Sequence, residues 1–198
     1  MQNDNNLLLQ QGAAWLWWVL GGVSLLCLLL QTQGLQRLAI WHSSAILDGQ
    51  WWRLITGHFT HSNAAHLLMN LVSLWLISLL FRPTAMLLIV LSLFASLLIG
   101  VGLLATDIQH YVGLSGVLHA LFAFFALGEW RENNAQGGWL LALLVAKLWL
   151  EQRDGNPMEM NALIAASVAT QAHLLGALVG GLIGLACLAC RRLTAAPC

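Results

Sequence analysis

Six long apolar stretches divide this chain, and they leave few folds open to it. They run roughly over residues 13–30, 64–81, 85–105, 115–129, 138–150 and 169–190. In hydrocarbon no water satisfies a free backbone amide or carbonyl, so only helices and closed barrels cross it. These runs are too long, and alternate too rarely, for the strands of a barrel. Only 8% of the 198 residues are charged and 59% are hydrophobic, against about 25% charged in a soluble domain. The expectation is an all-α polytopic membrane protein, a six-transmembrane-helix bundle forming one domain over residues 1–198. Net charge is zero, so no basic face points to nucleic acid.

The connections are short except one. Residues 31–63 hold Trp41, Trp51 and Trp52 with His42, His58 and His61, and are expected to lie partly in the interface, where an indole ring has one wet edge. A polar tail, Met1 to Gln11, precedes the first run. That run lacks a basic flank and a small-residue exit, so it reads as a retained span, not a cleaved signal. Arg82-Pro83 and Asp154-Gly155-Asn156-Pro157 mark turns. With the N-terminus inside, Arg82, Arg131, Arg191 and Arg192 fall on the inner side; Arg37, Arg53 and Arg153 fall outside with Lys147 near them. That is a faint positive-inside bias. Cys27, Cys187, Cys190 and Cys198 show no disulfide pattern, and the single C-x-x-C has no second ligand pair for zinc.

The fourth run is short. Fifteen helical residues rise about 22 Å, less than the roughly 30 Å hydrocarbon core. Its first residue, Ser115, is therefore expected below the membrane surface, beneath a wet cavity. Gly113 and Gly116 clear side chains from around it. Its N–H belongs to a helix start, where unpaired amides and the dipole favour negative charge. Those are the attributes of a nucleophile beside an oxyanion site.

His173 supplies a candidate base. It heads a stripe with Gly176, Gly180 and Gly184 on one helix face, a pattern that lets membrane helices pack backbone to backbone. The fourth run offers Gly116, Ala120 and Ala123 in return, and docking the two stripes places His173 beside Ser115. No acidic residue lies near either in sequence, so a Ser–His dyad is expected rather than a triad. His66 and Asn70, four apart on one face, are candidate oxyanion donors. Taken alone, they serve equally well as helix-bridging polar groups.

Together these pieces resemble the rhomboid family of intramembrane serine proteases. The matching residues are Trp52-Arg53, His66-x-x-x-Asn70, Gly113-Leu114-Ser115-Gly116 and Ala172-His173-x-x-Gly176-x-x-x-Gly180, spanning about residues 51 to 184. The resemblance implies Ser115 as nucleophile, His173 as base, and His66, Asn70 and the Ser115 N–H as the oxyanion hole. It implies no cofactor and no metal. His119 stands four after the serine, where many bacterial relatives carry an aromatic residue. With Thr56-Gly57-His58-Phe59-Thr60-His61-Ser62-Asn63, this resembles the rhombosortase branch. That resemblance implies single-span substrates ending in a GlyGly-CTERM tail, at a bacterial inner membrane with the site opening to the periplasm. Membrane lipid is the other partner implied.

His119 has two readings: an aromatic replacement stacked on His173, which we favour, or a group that tunes His173 or touches substrate. His58, His61 and His66 lack H-E-x-x-H spacing and a nearby carboxylate for a metal, and His58 and His61 are expected to order the first loop by hydrogen bonds. Arg53 is expected on backbone carbonyls or lipid phosphate, and Lys147 is expected to snorkel to the interface. Three functional alternatives compete with tail cleavage. One is a generic rhomboid protease, another a non-catalytic relative that binds membrane clients. The third is a small transporter using His66, His119 and His173 as a proton path.

Overall fold

The computed structural model describes residues 2–132, 134–155, 158–164 and 169–194, and the side chains of 14–132, 134–155, 158, 160–164 and 169–190. Helix α1 (Gln2–Leu29) is followed by a string of short elements: α2 (Gln33–Ala39), β1 (Trp41–His42), α3 (Ser43–Leu47) and α4 (Arg53–Thr56). Then come α5 (Ala64–Phe81), α6 (Ala85–Leu103), β2 (His110–Tyr111), α7 (Ser115–Arg131), α8 (Ala135–Asp154), α9 (Met158–Ile164) and α10 (Thr170–Thr194).

Each apolar run is a helix, and local chemistry sets the ends. Asn63 caps α5 by accepting from the His66 N–H, and Thr84 caps α6 by accepting from the Leu87 N–H. Arg82 ends α5 in the left-handed region (φ 46°), and Pro83 after it cannot continue the helix. Among the described residues, three helices are long and apolar enough to cross a membrane: Ala64–Phe81, Ala85–Leu103 and Thr170–Cys190. A fourth candidate, Ala14–Leu29 with Gln33–Ala39, is bent by 102°. Large apolar side chains such as Trp18, Leu68, Leu76, Val101, Leu143 and Leu182 point outward. In water such a patch would drive association; in lipid it is the ordinary surface. The chain is an all-α polytopic membrane protein; among the described residues the one strand pairing is antiparallel and two residues long, Trp41 to Tyr111 and His42 to His110.

Several expectations shift. The polar tail continues α1 from Gln2, since no proline interrupts it. Trp41 is fully buried, not interfacial, and its indole N–H donates to the Gly100 carbonyl at 3.0 Å; Trp51 and Trp52 are exposed. The fifth connection contains α9, and α8 runs on to Asp154. Asn156, Pro157 and Cys198 lie outside the described residues, as do the side chains of Arg191 and Arg192.

The loop over 31–63 is pinned, not trailing. Buried Arg53 donates to the Arg37 and Ile40 carbonyls at 3.0 and 2.6 Å, and to Gln50 Oε1 at 2.7 Å, fulfilling the backbone role expected of it. Helix α7 is the hub: it packs against α5, α6, α8 and α10, burying residues around its circumference from Gly116 to Leu127.

Candidate active site

The seam between α7 and α10 brings the chemistry together. Gly176 packs on the Gly116 backbone and Gly180 on the Ala120 backbone, with no room for a β-carbon at either glycine. Further along the seam Gly184 meets Leu127 and Phe124 side chains, while Ala123 clusters with Leu144 and Leu148 of α8 and Ala177 of α10. With the first two contacts closed, His173 Nε2 lies 2.9 Å from Ser115 Oγ.

The far side of the His173 ring overturns one expectation. Nδ1 lies 3.0 Å from Glu151 Oε2, and both side chains are buried. An acidic residue does stand next to the histidine. It escaped the sequence reading because α8 outlasts its apolar run, so Glu151 is helical and not the first residue of a loop. A carboxylate accepts only, so Nδ1 carries the proton, and Nε2 is left to accept from the Ser115 hydroxyl.

Lys147, one turn earlier on α8, keeps an exposed side chain. Its ammonium donates to Glu151 Oε1 and, at 3.0 Å, to His119 Nε2, contacts that snorkelling alone does not require. His119 in turn donates from Nδ1 to the Ser115 carbonyl at 2.7 Å. Its ring lies stacked on that of His173, centroids 4.3 Å apart and 14° from parallel. The favoured reading of His119 as an aromatic replacement has this geometry, with Nδ1 spent on the Ser115 carbonyl. His119, Glu151 and His173 present ligand atoms within 4.8 Å of one another. The Lys147 ammonium already holds two of those residues, and its charge opposes a cation there.

Across from Ser115, His66 Nε2 and Asn70 Nδ2 face Gly113. Gly113 has φ +120°, and a β-carbon there would sit 2.7 Å from His66 Nε2, so only glycine leaves this space open. Among the described residues the buried Asn70 Nδ2 has no hydrogen-bond partner, which makes it a donor held ready for an incoming acceptor. His66 Nδ1 lies 3.0 Å from Ser62 Oγ, whose hydroxyl donates to the Ile164 carbonyl of α9.

Tyr111 completes the frame and had no sequence signal, since a pairing across 70 positions is invisible in local pattern. Its O–H donates to the Gly113 carbonyl at 2.6 Å, and it accepts from the Gly116 N–H at 3.4 Å. Burial pushes this phenol up to about 12, so it stays a neutral donor. Of the loop histidines, His61 Nδ1 meets Gln31 Nε2 at 3.5 Å. His58 is fully buried, packs edge-on against Tyr111 (5.1 Å) and lies against the Ser96 backbone.

A cavity of about 1270 Å³ opens over these groups. Leu76, Phe122 and Leu143 line it on the flank between α5 and α8, and Ser115, His66, Asn70 and His173 line its polar part. The arrangement pairs an activated hydroxyl with donors for a negative oxygen, the requirements of acyl transfer.

No curated protein matches the chain. The rhomboid domain model matches residues 48–190, which takes in Ser115, His173, Glu151, His119, His66 and Asn70, and the chain belongs to the rhomboid family of intramembrane proteases.

Proposed function

We propose that the protein is an intramembrane serine endopeptidase with Ser115 as nucleophile and His173 as general base, cleaving the GlyGly-CTERM tails of exported single-span proteins. The observation that carries the chemistry is the 2.9 Å contact of His173 Nε2 with Ser115 Oγ beneath an open cavity. The tail specificity rests on the rhombosortase-like Gly-Leu-Ser-Gly-Val-Leu-His segment. In this reading α1, α5, α6, α7, α8 and α10 are six spans of a bacterial inner membrane protein. The N-terminus lies inside and the site opens to the periplasm.

The substrate helix enters between α5 and α8 and unwinds at glycines, which weaken helix and bare the backbone. His173 takes the Ser115 proton as Oγ bonds to the scissile carbonyl carbon. The resulting oxyanion accepts from Asn70, His66 and the Ser115 N–H. His173 then protonates the departing amide nitrogen, leaving an ester on Ser115. Water, or another amine, attacks that ester as His173 again takes the proton, and His173 returns it to Ser115 Oγ as the ester C–O bond breaks.

Membranes bearing wild type, Ser115→Ala or His173→Ala, each co-expressed with a GlyGly-CTERM reporter, test this on a gel. Cleavage by wild type alone supports it. Cleavage of only a generic rhomboid substrate removes the tail specificity. Undiminished cleavage by Ser115→Ala sinks the serine-protease reading.

A further inference from the structure

We propose that Glu151 is a positioning residue for His173, so that the unit of catalysis is Ser115–His173–Glu151 and not a two-residue pair; this rests on the serine-protease reading above. Five hydrogen bonds allow one consistent proton assignment. Lys147 donates to Glu151 Oε1 and to His119 Nε2. His119 Nδ1 donates to the Ser115 carbonyl, His173 Nδ1 to Glu151 Oε2, and Ser115 Oγ to His173 Nε2. No donor faces a donor.

Each partner constrains the catalytic ring differently. The His119 stack holds it from the face, and Glu151 fixes its rotation and tautomer from the edge. Lys147 occupies the other carboxylate oxygen, so Oε2 is turned to His173 and the glutamate stays ionised beside a counter-charge. When Ser115 gives up its proton, the imidazolium forms against a carboxylate already in place, which needs no reorganisation. Glu151 itself takes no proton and touches no reacting atom.

Glu151→Gln isolates the effect, because it keeps shape while its carboxamide is free to donate to Nδ1 and enforce the wrong tautomer. The expected result is a kcat loss of about 10²–10⁴-fold with KM little changed. Glu151→Asp should recover part of the activity. In ¹⁵N NMR of the detergent-solubilised protein, the wild-type His173 should be protonated at Nδ1, and Glu151→Gln should lose that signature while keeping its melting temperature. Wild-type kcat and tautomer in Glu151→Gln would overturn the proposal. If that variant does not fold, the wild-type spectrum decides: a ring bare at Nδ1 overturns it, and one protonated there supports it. Labelling of Ser115 by a fluorophosphonate separates the two layers. No labelling in wild type removes the serine-protease reading and this proposal with it. Wild-type labelling rates in Glu151→Gln remove only the role of Glu151.

Discussion

The α-carbon of Gly176 rests so close to the Gly116 carbonyl that a β-carbon at residue 176 would overlap its oxygen. Backbone cannot retreat as a side chain end can, so Gly176→Ala must push α10 away from α7. Overpacking of this kind costs about 1–3 kcal/mol, and the same displacement lengthens the Ser115–His173 contact. Thermal unfolding in detergent and reporter cleavage should both fall. Gly181→Ala, which meets nothing within 4 Å, is the control and should leave both intact.

Asn70 should show a trade between activity and stability. Its buried Nδ2 has no partner at rest, and an orphaned donor costs about 1–3 kcal/mol. Asn70→Ala is expected to slow cleavage about 10²–10³-fold without lowering the melting temperature. A large loss of stability instead would mark Asn70 as structural.

His119 should tolerate an aromatic ring better than none. A stacked pair contributes about 0.5–1.5 kcal/mol beyond its buried area. His119→Phe keeps a ring on His173, and His119→Ala removes it. Initial cleavage rates should rank wild type first, then Phe, then Ala, with Phe and Ala separated by about two- to tenfold.

Acid should destabilise the first loop. Burial lowers His58 to about 4 and His61 to about 3, His61 being depressed further by neighbouring His66. Both rings are neutral when folded at pH 5, whereas an unfolded histidine, titrating near 6.5, is mostly charged. The unfolded chain then binds more protons, so stability falls as pH drops below about 6.5 and is lost progressively toward pH 4 and 3. Melting temperatures from pH 7.5 to 4.5 should decline, and His58→Leu should flatten that decline.

Arg53 should not be replaceable by lysine. Its guanidinium reaches two carbonyls and Gln50 at once, a spread that a single ammonium cannot copy. Limited proteolysis between residues 37 and 53 should accelerate in Arg53→Lys as well as in Arg53→Ala.

Much of this site was legible from spacing. A helix face is a local property, so the Gly176–Gly180 stripe and the His66–Asn70 pair could be read four residues at a time. Ser115 stood out because its helix is short. Glu151 was misplaced for one reason: hydropathy marks where lipid ends, and α8 does not end there. The four-residue spacing that lets Lys147 donate to Glu151 is itself a helix signal that the charge content obscured. Tyr111 and the burial of Trp41 depend on a two-residue bridge between distant segments, which no window along the chain contains.

A hydroxyl group has one hydrogen, and Ser62 has two claimants for it. While it donates to the Ile164 carbonyl of α9, it can only accept from His66, and a neutral His66 then turns a bare nitrogen toward Gly113. Nε2 becomes a donor only when Ser62 rotates its hydrogen to Nδ1, leaving α9 short of one tether. With His66 neutral, the bond to Ile164 and an Nε2–H aimed at the oxyanion are thus alternative uses of a single proton, while Asn63 Nδ2, donating to the Leu163 carbonyl at 2.9 Å, still ties α9 to the start of α5.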